Sequence, residues 1–68
     1  MLFTIYTKFL NEPTICHGAI ECDSEFDATI YAYRCAMDIF SQHGYEDRYD
    51  TYEAYHEALF DHVEFWIE

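Results

Sequence analysis

The sequence predicts a small α+β domain in which an N-terminal antiparallel β-hairpin is followed by two α-helices, all within a single domain spanning 1–68. Three observations carry that expectation. The chain opens on an alternation of apolar and polar side chains, period two, and switches near residue 24 to a spacing of three and four. Only two glycines and one proline interrupt 68 residues, so breaks between elements are few. No internal repeat or linker divides the chain, and a second core does not fit in this length.

Residues 2–10 read Leu-Phe-Thr-Ile-Tyr-Thr-Lys-Phe-Leu. Phe3, Ile5 and Phe9 fall on one face, Thr4, Tyr6 and Lys8 on the other, and the residue types favour a strand. Asn11-Glu12-Pro13-Thr14 is a turn signal, since Pro13 cannot continue a ladder. Residues 15–22 then pair back as the second strand, with Gly18 weakening it or marking a bulge. Asp23-Ser24 opens a helix, and Ser24 followed by Asp27 resembles a capping box. Phe26, Ile30, Tyr33, Met37 and Phe40 follow at steps of four, three, four and three, which makes them the expected core stripe. His43 and Gly44 close this helix.

A short polar loop from Gly44 to Asp50 carries Tyr45, Arg48 and Tyr49. Asp50 with Glu53 forms another capping-box pattern, which starts a second helix near Thr51. Tyr52, Tyr55, Leu59 and Val63 make its apolar stripe, with Phe60 beside it. For residues 63–68 two patterns coexist. Leu59, Val63 and Trp66 continue a helix, whereas Val63, Phe65 and Ile67 alternate with Glu64, Trp66 and Glu68 as a strand would. The absence of a breaker favours the helix, and a C-terminal third strand is the alternative.

Fourteen Asp or Glu against three Lys or Arg give a formal net charge of −11, while 51% of the residues are hydrophobic and 21% aromatic. Disordered acidic tails lack such apolar content. Binding to nucleic-acid phosphate or to an anionic membrane is disfavoured because the field has the wrong sign. No apolar run approaches the roughly 20 residues that span a bilayer, and the N-terminus lacks the basic and apolar segments of a signal peptide. Cys16, Cys22 and Cys35 are an odd number, which favours a reducing cytoplasm and a role as small apolar fillers over a disulfide between Cys16 and Cys22. We therefore expect a cytoplasmic protein of a bacterial host cell.

Chemistry at a catalytic or metal site is not expected. Cys16, His17, Cys22, Cys35 and His43 offer no zinc spacing, and His56 and His62 stand six apart, on different sides of a helix. Ser24 is better used as a cap than as a nucleophile, two glycines cannot build a phosphate loop, and the domain is small for a substrate pocket. No enzyme activity and no cofactor are anticipated.

The acidic residues are arranged. Glu53, Glu57, Asp61 and Glu64 follow at steps of four, four and three, which on a helix is one ridge, extended upstream by Asp50. Like charges so spaced cost an isolated helix about 0.2–0.5 kcal/mol per pair, and no lysine is interleaved. Helical residues four apart are about 6 Å apart along the axis, a spacing near that of successive backbone phosphates. Glu21, Asp23, Glu25 and Asp27 form a second group, which the positive end of the first helix accounts for. Glu46, Asp47 and Asp50 flank Arg48 in the loop. Seven tyrosines exceed what a core of this size needs, and Tyr31, Tyr45 and Tyr49 lie off the stripes, where tyrosine serves interfaces.

A domain this small, acidic and aromatic, bearing the ridge of Glu53, Glu57, Asp61 and Glu64, resembles bacteriophage counter-defence proteins such as anti-CRISPR and anti-restriction DNA mimics. The resemblance is of size and charge pattern, so no residue role is transferred. It implies an inhibitor whose partner is a protein with a basic nucleic-acid-binding cleft, such as a CRISPR effector complex. Glu53, Glu57, Asp61 and Glu64 would imitate phosphates, with Asp50, Glu46, Asp47, Tyr45 and Tyr49 at the margin. A different expectation is an acidic accessory or antitoxin-like subunit that grips one basic partner through its aromatic surface.

Overall fold

The first strand, β1 (Leu2–Phe9), is the central strand of the sheet. Ile5, Thr7 and Phe9 alternate to one side and are buried, and Thr4, Tyr6 and Lys8 face the other way. A computed structural model describes residues 1–45 and 49–68. In it β1 is flanked on both edges: β2 (Ile15–Glu21) on one and β3 (Val63–Ile67) on the other, both antiparallel, in the order β2-β1-β3. Between them in the chain lie α1 (Glu25–Gln42) and α2 (Tyr52–His62).

The hairpin carries the irregularity expected at Gly18. Thr4 pairs with Ala19 but Tyr6 with Cys16, so β2 holds one extra residue, and Gly18 sits there at φ +90°. Only glycine adopts that conformation without strain. Ser24 caps α1, its Oγ accepting the Asp27 N–H at 3.2 Å, and Gly44 follows the helix end at φ +81°. The cap of α2 is Thr51, not Asp50: the Thr51 Oγ1 accepts the Ala54 N–H at 3.1 Å. Asp50 stands one residue outside the helix.

Two expectations are corrected. Residues 63–67 form a strand rather than a continuation of α2, with Val63 opposite Phe9, Phe65 opposite Thr7 and Ile67 opposite Ile5. The alternation that suited both structures is used to cover the inner face of the sheet, which a helix extending past His62 would leave bare. The core face of α1 also differs. Ala28, Ala32 and Ala36, with Ile39 and Phe40, are buried, whereas Phe26 and Ile30 are 71% and 39% exposed. Small side chains let the helix approach β1 and β3 closely. Of the expected stripe, Phe40 is fully buried and Tyr33 and Met37 pack at the margin of the core.

The core unites Phe9, Ala36, Ile39, Phe40, Leu59 and Val63, drawn from both helices and two strands. Thr7 is the buried polar residue among those described, and its hydroxyl is hydrogen-bonded to His17 Nε2 at 2.7 Å. The cysteines are free, with Cys16 exposed on β2 and Cys22 and Cys35 half-buried, so Cys16 is no interior filler. No helix among the described residues is long and apolar enough to cross a membrane.

Candidate functional site

α2 is an exposed helix with one anchor. Leu59 is its single fully buried residue, and the opposite side is open. Glu53, Glu57 and Asp61 lie on that side, four residues apart and all exposed, so three members of the expected ridge form one row along the helix. Among the described residues no ion pair engages them. Glu64 does not continue the row, because it falls on β3. It is exposed and stands opposite Lys8 in the β1–β3 register. The Lys8 Nζ donates to Leu10 O at 2.7 Å. A pocket of about 280 Å³ lies between Asp61, Glu64, Lys8 and Phe60. The ridge thus bends at His62 and meets a lysine at its end, a cation that no reading of α2 alone brings near it.

A second row runs beside the acidic one, offset by one residue. Tyr52, His56 and Phe60 are also four apart, with ring centroids 4.3 Å apart at the first step and 6.1 Å at the second. Phe60 continues to Phe65 of β3 at 5.9 Å and rests on Tyr33 of α1 at 6.2 Å. Tyr52 is 69% exposed and Phe60 55%, so this row is surface; Phe26 and Ile30 are also exposed, on the helical face of α1 that carries Tyr33. Sequence reasoning placed Tyr52 in the core stripe. The signal that could have found the row is its register with the carboxylates: each aromatic ring or imidazole is followed at once by Glu or Asp.

Tyr33 ties the helices together beneath this surface. Its hydroxyl meets His56 Nε2 at 2.6 Å. Burial, together with the nearby Tyr52 and Tyr55 phenols, pushes Tyr33 up to about 12. The phenol therefore stays protonated at neutral pH. His62, at the end of α2, donates from Nδ1 to Ala58 O at 2.6 Å and packs among Phe9, Phe40 and Tyr45.

Tyr45 and Tyr49 are half-buried. Both stack on Phe40, at 5.0 and 6.2 Å, so one ring face of each serves the fold. Tyr31 is exposed on the far side of α1. Glu46 and Asp47 lie outside the described residues. Among those described, no three His, Cys, Asp or Glu side chains gather as metal ligands.

No protein-family model matches the chain, and no curated protein or solved structure does either. The surface is read from its own chemistry.

Proposed function

We propose that the domain is a binding inhibitor that presents Glu53, Glu57 and Asp61 to the basic nucleic-acid site of a DNA-processing complex, in place of DNA phosphates. One observation supports this most: three exposed carboxylates in a row, unpaired among the described residues, on a helix without lysine or arginine. A surface that only needs to be solvated would interleave cations, because that removes the cost of like charges one turn apart. A cleft lined by Lys and Arg removes the same cost on binding and adds charge steering to the encounter. Glu64, around the bend, widens the acidic field. The reading is an interaction, and it needs no enzyme activity and no cofactor.

The test is capture from bacterial lysate by the tagged protein at low salt, with elution by salt and, separately, by excess duplex DNA. A DNA-processing complex released by both is the expected result. Glu57→Lys with Asp61→Lys should abolish capture. Asp23→Lys with Asp38→Lys makes the same change in net charge elsewhere and should reduce capture only slightly. Capture that ignores duplex DNA, or that survives the ridge reversal, overturns the reading.

The row of Tyr52, His56 and Phe60 supports the second reading, an accessory subunit held to one basic partner by aromatic contacts. There Phe60→Ala would weaken binding more than charge reversal, and salt would matter little.

A further inference from the structure

A solvent-open pocket of about 350 Å³ lies at the start of α2, lined by Met37, Tyr49, Asp50, Thr51, Tyr52 and Tyr55. Three of these six residues are tyrosines. Tyr49 and Tyr55 stand 6.2 Å apart at 74°, and Tyr52 and Tyr55 stand 6.3 Å apart at 22°. Tyr52 and Tyr55 are thus nearly parallel, and Tyr49 meets Tyr55 edge to face. Tyr49 and Tyr55 are braced from behind by Phe40, at 6.2 and 5.4 Å, so those two walls are fixed by the core. Tyr52 is the outer wall. Met37 contributes a soft, polarisable thioether, and the exposed Asp50 supplies a carboxylate.

We infer that this open pocket is an aromatic cage for one weakly hydrated cation, an arginine side chain of the basic partner. The source of that arginine rests on the docking reading above, whereas the cage geometry does not. Ring faces are the negative side of an aromatic quadrupole, and a cation within about 6 Å of several of them is attracted. Asp50 and a net charge of −11 act in the same direction and repel an anion. The positive end of α2 acts against a cation, but it is already met by the Thr51 hydroxyl on the Ala54 N–H and by Glu53 in the first turn. Guanidinium suits the site better than ammonium because it is planar, stacks on rings and is more weakly hydrated. The cage lies one turn before Glu57 on the same helix. An arginine seated there leaves neighbouring cations of the partner to reach the acidic row.

The test needs no partner. The whole chain is titrated at constant ionic strength with N-acetyl-arginine methylamide, with the norleucine analogue and sodium chloride as controls, while the tyrosine ring protons and the backbone amides are followed by NMR. Saturable shifts confined to Tyr49, Tyr52 and Tyr55 are expected. Tyr52→Leu, at an exposed wall, should weaken binding about two- to fivefold, the range that a cation–π contact of about 0.5–1 kcal/mol corresponds to. Asp50→Asn should also weaken it, and Glu57→Lys with Asp61→Lys, which changes no lining residue, should leave the shifts confined to the same three rings. Shifts that never saturate, that spread along Glu53, Glu57 and Asp61, or that survive Tyr52→Leu overturn the cage. Partner capture unaffected by Tyr52→Leu, yet lost on ridge reversal, overturns the partner-arginine assignment and leaves the docking reading standing.

Discussion

His43 shows how one residue links a helix end to the hairpin turn. Its Nδ1 donates to Ile39 O at 2.8 Å and its Nε2 meets Glu12 Oε2 at 2.9 Å. An imidazole donates from both nitrogens only when protonated. The ring is also stacked on Phe9 at 3.7 Å, where a cation gains attraction from the π face. The Ile39 carbonyl raises the His43 pKa, burial opposes that, and Glu12 adds to the rise, leaving it above the usual histidine value. Because the folded-state pKa exceeds the unfolded one, the contribution to stability is complete below the unfolded value and fades as pH rises through the folded one. The difference in melting temperature between the natural protein and Glu12→Gln should therefore be larger near about pH 5.5 than near about pH 8.5, on either side of the histidine range. A difference that stays constant across that window, or grows with pH, would exclude the protonated pair. Sequence reading placed His43 at the helix end but could not pair it with Glu12, 31 residues away, because only the fold joins a turn to a helix terminus.

Within α1 three of the five buried side chains are its smallest ones. Ala28, Ala32 and Ala36 have no exposed surface and set the helix close to β1 and β3. Ala32→Leu has no room to fill and should cost about 1–3 kcal/mol, which lowers the melting temperature of a domain this size by about 4–8 °C per kcal/mol. Phe26→Ser, at a position 71% exposed, should stay within about 0.5 kcal/mol of neutral. Thermal unfolding of the two variants decides the matter, and the opposite order would restore the stripe of large residues as the core. Both stripes have helical period, so periodicity found the helix, and side-chain size then pointed to a face on which Phe40 is fully buried, Tyr33 and Met37 lie at the core margin, and Phe26 and Ile30 are exposed. A single three-stranded sheet offers α1 one shallow surface, on which alanines fit and Phe26 does not. The hairpin, the Gly18 bulge and the Ser24 cap were legible because each depends on neighbours in sequence. β3 was ambiguous because five residues satisfy period two and a continued helix equally well, and sheet pairing decided it. The candidate site divides the same way. Glu53, Glu57 and Asp61 were legible from their spacing, whereas Glu64 left the row when the helix ended. The cage was invisible because it brings a loop tyrosine and Met37 of α1 against two tyrosines of α2.

At the scale of the molecule, a net charge of −11 is carried by a body of only 37 × 24 × 15 Å. Charges so confined lie within one or two Debye lengths of one another at low salt, since that length is about 30 Å at 0.01 M and about 10 Å at 0.1 M. The ion pairs among the described residues are Met1 with Glu21 and His43 with Glu12, both exposed or partly so, and surface pairs return little. Repulsion therefore exceeds attraction in the folded state, and expansion of the chain relieves it. Raising sodium chloride from about 0.02 to about 0.5 M should increase the melting temperature, because screening weakens the larger repulsive sum more than the few attractive pairs. A flat or falling curve would show that the carboxylates are already compensated. The same titration separates total charge from its arrangement. Glu57→Lys with Asp61→Lys changes −11 by four, to −7, and Asp23→Lys with Asp38→Lys does the same. If the row on α2 concentrates the repulsion, the ridge variant loses more of its salt dependence than the control, since like charges at four-residue spacing act at close range. Equal slopes for the two variants would assign the effect to net charge alone and leave the ridge no special cost for a basic cleft to relieve.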